Sequence, residues 1–253
     1  LDASAASPGN RCEAGVASAV GRCVARVGVL ARRCFARTGV GCAATDPGVL
    51  AALAALESKI LARCPDAAAA QSAGFGAVVS RTAVLDRARE ACLGEPATLA
   101  ARPFGGPQGA LRDGAPAERR ACLDTAFSAG TQLLKSSFRV QSACIRKSHA
   151  GRACDTLQVE TRLAVLEANA TLRVATKCPA LPAELRIDAA EYVDRVAAQA
   201  RCLTAAAHGD AGPLALGCGP RAGVVVPPRG QWVNVELDEA TYGTRCGDGS
   251  PYR

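Results

Sequence analysis

Cys34-Phe35-Ala36-Arg37-Thr38-Gly39-Val40-Gly41-Cys42 and Cys144-Ile145-Arg146-Lys147-Ser148-His149-Ala150-Gly151-Arg152-Ala153-Cys154 are the two stretches whose reading decides the fold. Each is a short, basic, glycine-containing connector with a cysteine at either end, and each sits inside a longer cysteine series. The first series is Cys12, Cys34, Cys42, Cys64 and Cys92; the second is Cys122, Cys144, Cys154, Cys178 and Cys202. The second series follows the first at offsets of 110, 110, 112, 114 and 110 residues. Cys64-Pro65 matches Cys178-Pro179, and Cys92-Leu93 matches Cys202-Leu203. Self-similarity at a fixed period marks an internal repeat.

Between the cysteines the apolar residues recur at steps of three and four. Leu53, Leu56, Ile60 and Cys64 form one such row; Leu163, Leu166, Ala170 and Val174 form another; Leu185, Ala189, Tyr192, Val196 and Ala200 form a third. This is the helical period. Asp46-Pro47 supplies an N-cap and a first-turn proline, and Leu181-Pro182 opens the last helix in the same way. The expected fold is all-α: two tandem, disulfide-stapled three-helix units followed by a short β segment. Unit one is residues 1–93, with helices at 11–33, 47–63 and 70–92; unit two is residues 117–207, with helices at 117–146, 155–177 and 182–207. Gly/Pro-rich linkers are expected at 94–116 and 208–230.

Cys12 and Cys34 lie 22 residues apart, as do Cys42 and Cys64. That is roughly 33 Å of helix, whereas a disulfide needs Cα atoms within about 7 Å. Cysteines of one helix therefore cannot meet, but the ends of a helical hairpin can. The expected pairs are Cys34–Cys42 and Cys12–Cys64 in the first unit, and Cys144–Cys154 and Cys122–Cys178 in the second. Cys23 is mid-helix and pairs best with Cys92 from the third helix; Cys202 can reach Cys218. The cysteine count of 13 is odd, and Cys246 is expected to be the unpaired one.

So many cysteines belong in an oxidising compartment. No C-x-x-C pair occurs, and the only histidines, His149 and His208, are not spaced as ligands. Structural disulfides are therefore expected rather than a metal site. Aromatic residues make up 4% of the 253 residues, so Ala, Val and Leu must fill the core and staples become valuable. Met is absent, and Leu1 to Pro8 reads as a loose lead of the kind that follows a removed signal peptide. The expected location is secreted, periplasmic or extracellular. Charged residues interrupt every helix, so no membrane span is expected.

The net charge is +7. Basic residues read as scattered, without the aromatic interleaving of a nucleic-acid face, and a solvated surface is the plain reading. The group from Arg22 to Arg37 is the candidate contact for an acidic polymer, such as an acidic polysaccharide.

After Gly230 the texture changes. Gln231-Trp232-Val233-Asn234-Val235-Glu236-Leu237 alternates like a strand. It leads to Thr244-Arg245-Cys246-Gly247-Asp248-Gly249-Ser250-Pro251-Tyr252-Arg253, which is rich in turn residues. Residues 231–253 are expected to be strand and turn. From Trp232 onward the tail resembles the opening of the catalytic domain of bacterial pectin acetylesterase-like hydrolases. That resemblance implies an α/β-hydrolase with a Ser-Asp-His triad, to which this chain would be a helical preface. No triad residue carries over, because the family's G-x-S-x-G elbow is not in this sequence. Ser250 precedes proline and reads as a turn residue. Gly105-Gly106 lacks the strand and His of an oxyanion loop. Asn169-Ala170-Thr171 is a glycosylation pattern placed mid-helix, and Asp188, Glu191 and Asp194 have the spacing of a solvated helix face. The chain is thus expected to hold no catalytic, cofactor-binding or metal-binding residues. The alternative to a hydrolase preface is a free-standing, secreted interaction protein.

Overall fold

The computed structural model describes residues 7–75, 79–209 and 211–216. The expected β segment at 231–253 and most of the linker at 208–230 lie outside them. The described residues form helices and connecting turns, with no strand among them. The helices are α1 (Pro8–Thr38), α2 (Pro47–Arg63), α3 (Ala67–Ser72), α4 (Arg81–Phe104), α5 (Ala117–His149), α6 (Thr156–Lys177), α7 (Leu181–Leu185) and α8 (Ala189–Ala207).

Local chemistry sets most boundaries. Asp46 Oδ1 accepts the N–H groups of Gly48 (2.8 Å) and Val49 (3.3 Å), with Pro47 in the first turn of α2. Asp155 and Asp188 cap α6 and α8 through the N–H groups of Gln158 and Glu191. Ser7 and Pro8 do not belong to a loose lead: Ser7 Oγ accepts the Asn10 N–H, and Pro8 occupies the first turn of α1. At the other end Gly39 adopts φ 74° and closes α1 with an N–H to the Phe35 carbonyl.

Three expectations need correction. The third helix of each half is not one rod. In the first half the chain breaks after α3, at Gly74 (φ 82°), and is recapped by Ser80. In the second half α7 ends at Arg186, the one non-glycine residue with positive φ among those described, and Asp188 restarts the helix. The linker expected from residue 94 is helical to Phe104, although Pro96 and Pro103 lie inside α4. Burial of Leu99, Ala100 and Phe104 outweighs the proline penalty there. Phe104 stacks between Phe35 of α1 (4.6 Å) and Phe127 of α5 (5.1 Å), so three of the few aromatic rings form a row across three helices. The turn after α4 is latched as well. Arg112 donates to the Phe35 carbonyl (2.8 Å) and to both Asp124 oxygens, and Gly41 N–H donates to the Pro107 carbonyl (2.7 Å). Gly109 (φ 64°) passes so close to Gly39 that a Cβ would collide with its carbonyl.

Buried residues from both halves join one hydrophobic cluster. It includes Val16 and Val20 of α1, Leu56 and Ile60 of α2, Leu134 of α5 and Tyr192 of α8. The long α1 is the axis, packing on α2, α3, α4, α5 and α8. It is also long and apolar enough, with a mean hydropathy of 1.4 over its most apolar window, to meet a length-and-composition test for a membrane span, although Arg22 and Arg26 interrupt it. Its place in the core accounts for that apolarity: Cys12, Val16, Val20, Val24 and Val27 are all buried.

Among the described residues five cysteine pairs are joined to each other, with these Cα–Cα distances: Cys12–Cys64 (4.6 Å), Cys23–Cys92 (5.4 Å), Cys34–Cys42 (5.2 Å), Cys122–Cys178 (4.4 Å) and Cys144–Cys154 (5.2 Å). On loop-closure entropy alone, the 52-residue separation of Cys12–Cys64 is worth about 4 kcal/mol and the 8-residue separation of Cys34–Cys42 about 2.5 kcal/mol. Replacing Cys12 and Cys64 together by Ala should therefore lower the unfolding free energy more than replacing Cys34 and Cys42, as read by urea denaturation. Equal effects would contradict the entropic ranking.

Candidate functional site

Glu13 is the only acidic residue in α1, and it faces inward with 1% of its surface exposed. A carboxylate in that position is costly unless each oxygen is matched. Both are. Oε2 lies 2.5 Å from His149 Nδ1, at the end of α5, and Oε1 lies 2.7 Å from His208 Nδ1, the residue capping α8. His208 Nε2 lies 2.9 Å from the Ser142 hydroxyl in α5. The backbone is drawn in too, since Asn10 Nδ2 donates to the His149 carbonyl at 2.7 Å. Next to His208, Thr204 of α8 donates its hydroxyl to Gln141 Oε1 of α5 at 2.5 Å.

The donors follow from the acceptors. An ionised carboxylate only accepts, so both Nδ1 atoms must carry protons; a neutral His208 then turns a bare Nε2 to Ser142, whose hydroxyl donates. The order of contacts, Ser Oγ to His Nε2 and His Nδ1 to carboxylate, is that of a Ser–His–acid triad. The described surroundings are closed. The His208 side chain is fully buried and Ser142 nearly so. Ser142 is inside α5, where backbone N–H groups bond to carbonyls four residues back, so α5 itself aims no pair of free donors at an oxyanion. Neither of the two described surface hollows is lined by these residues. Through these contacts the cluster joins α1 to the ends of α5 and α8.

Two more buried polar links serve the same seam. Gln199 of α8 donates to the backbone carbonyl and a side-chain oxygen of Glu95 in α4 (2.8 Å each) and accepts from Arg102. The Tyr192 hydroxyl donates to the Ala126 carbonyl at 2.9 Å.

Sequence reasoning put neither histidine in a cluster. The partners of Glu13 are 136 and 195 residues away in the chain, and local periodicity carries no information at that range. The single carboxylate on the apolar face of α1 was the available signal. Among the other expected residues, Asp188 is a helix cap and Glu191 pairs with Arg195. Asp194 helps hold the Glu167 carboxyl above its ordinary value. Burial is the larger cause, the Asp194 charge adds to it, and Arg201 opposes it. Cys202 is disulfide-bonded, while Cys218 and Cys246 lie outside the described residues. Cys34, Cys42 and Asp46 approach as a metal-like trio, but the two sulfurs are bonded to each other and offer no thiolate.

The chain matches no protein-family model, no curated protein and no solved structure.

Glu13→Gln should cost about 3–5 kcal/mol of stability, because the amide cannot accept from both imidazoles and leaves a buried donor unmatched. Chemical denaturation measures this, and a loss below about 1 kcal/mol would show that the cluster is not a structural tie. A second expectation concerns pH. A carboxyl raised on folding binds its proton more tightly in the native state, so it favours folding below its unfolded value and stops doing so as pH rises through the folded value. Glu167→Gln should therefore raise the melting temperature modestly at neutral pH and leave it unchanged in acid. A loss of stability at neutral pH would contradict the assignment.

Proposed function

We propose that this chain is a non-catalytic, exported helical module, built of two tandem disulfide-stapled units, that precedes a pectin acetylesterase-like serine ester hydrolase. The observation that supports the non-catalytic reading is the closed state of the Ser142–His208–Glu13 set, whose members are all buried, with the Ser142 hydroxyl inside a helix that aims no free donor pair at an oxyanion. The tandem reading is supported by corresponding parts. Each half has a long helix, a second helix joined to it by a short and a long disulfide, and a third helix split after a short first piece. The third disulfide of the first half, Cys23–Cys92, has no counterpart at the first position, since Leu133 stands where Cys23 would fall. The disulfides and the apolar N-terminal helix are compatible with export. The link to a hydrolase rests on the resemblance of residues 232–253.

A free-standing interaction protein is the second reading. One observation favours it: Leu157, Val165 and Leu172 stand on one face of α6 and are 72%, 55% and 67% exposed. An apolar row of this kind suits a partner surface.

Assaying the chain alone and a version extended beyond Arg253 on p-nitrophenyl acetate and acetylated pectin tests the proposal. Activity only in the extended version is expected. Activity in the chain alone, abolished by Ser142→Ala in a protein that still folds, would overturn the non-catalytic reading. An extended version without activity would leave the interaction reading in its place.

A further inference from the structure

Arg11, Arg22 and Arg33 are spaced at 11 residues, close to three helical turns, so on α1 they return to almost the same angle. Arg26 and Arg37 each follow one turn later. All five are exposed, and together they cover an arc of about 80° along about 39 Å of helix. What reads as scattered charge in the sequence is one stripe. It lies opposite Glu13, so α1 carries all its negative charge inside and only positive charge outside. Glu57, the carboxylate of α2, is paired with Arg89 of α4 rather than with the stripe.

The stripe borders a groove of about 550 Å³ between α1 and α2. Arg22, Arg26 and Lys59 rim it, while Ala52, Ala55 and Leu56 contribute an apolar floor; no carboxylate and no aromatic ring lines it. A second hollow of about 310 Å³ lies further along, beside Arg33 and Arg37. Its one carboxylate, Asp46, is engaged by the Gly48 and Val49 N–H groups at the start of α2.

We propose that the α1–α2 face is a docking surface for an acidic polysaccharide, with the arginine stripe holding successive carboxylates and the small-residue floor of the groove packing against the sugar rings. Charge complementarity argues for the occupant. Guanidinium groups take carboxylates in two-pronged pairs, and a row of them along a rod matches a polymer with regularly repeated charges. The absence of rings from the groove disfavours single-stranded nucleic acid, which is held by stacking. The flat Ala-rich floor lacks the bulky side chains that anchor an interfacial helix in lipid. This inference goes beyond the reading of the chain as a non-catalytic module, and it does not depend on ester hydrolysis.

The test is binding of the full chain to polygalacturonate, measured by titration calorimetry and affinity electrophoresis. Dextran, duplex DNA and phosphatidylglycerol–phosphatidylcholine vesicles are the comparisons. Binding to polygalacturonate is expected to weaken as ionic strength rises, with none to dextran. Substituting Arg22, Arg26, Arg33 and Arg37 by Gln should weaken it at least about tenfold. The same charge change at the exposed Arg139, Arg152, Arg162 and Arg173 should have little effect. Circular dichroism and thermal melting report whether each variant is folded, and Arg22→Gln/Arg26→Gln serves in place of the fourfold variant if that one is not. The proposal is overturned by no binding to polygalacturonate, by equal losses in the two variant sets, or by tighter binding to DNA or vesicles than to polygalacturonate. The ester assay does not read this surface, so failure here leaves the hydrolase reading standing, and the reverse also holds.

Discussion

A single buried carboxylate organises this protein. Glu13 lies on the inner face of an otherwise apolar and basic helix, and its two oxygens are divided between two histidines from different helices. Removing a carboxylate from water is unfavourable by several kcal/mol after relaxation. The chain must therefore bring the end of α5 and the end of α8 to the first turns of α1 wherever it folds. Cys12 stands next to Glu13 and is bonded to Cys64, so the covalent tie between α1 and α2 and the polar tie to α5 and α8 meet at one end of the bundle. The aromatic row of Phe35, Phe104 and Phe127 and the Arg112 latch hold the opposite end of α1.

That arrangement suits a core poor in aromatic rings. Alanine and valine let helices approach closely but bury little apolar area per residue. Disulfides act on the unfolded state by limiting its freedom, whereas buried hydrogen-bond clusters act on the native state by allowing only one register. The two devices are complementary, and both are concentrated on α1, which contributes Cys12, Glu13, Cys23 and Cys34. Its inner face is occupied with cohesion, and its outer face is left to the solvent and to the arginines.

The features that depend on short spacing were legible in the sequence. The helix cap at Asp46, the helical periods, and the geometric argument that cysteines 22 residues apart close a hairpin rather than a single helix all follow from neighbours within a few turns. Two kinds of feature were not. One is the tertiary override of local preference: α4 continues through Pro96 because its far side is buried, and Arg186 takes a left-handed conformation because Ile187 must reach the core. The other is long-range polar pairing, in which His149 and His208 acquire meaning only from a carboxylate more than a hundred residues earlier. The arginine stripe falls between these cases. Its 11-residue spacing was visible, but it became a face only once α1 was known to run unbroken from Pro8 to Thr38.

The central claim is that Glu13, His149, His208 and Ser142 form a closed structural network. Long-range ¹⁵N–¹H correlation spectra of the two imidazoles, recorded on the native chain, test it most directly. The account predicts that both rings carry their proton on Nδ1, that these protons are protected from exchange with water, and that Glu13→Gln perturbs both rings together. An Nε2-protonated His208 with a bare Nδ1, or imidazole protons exchanging as freely as in an unfolded chain, would contradict it.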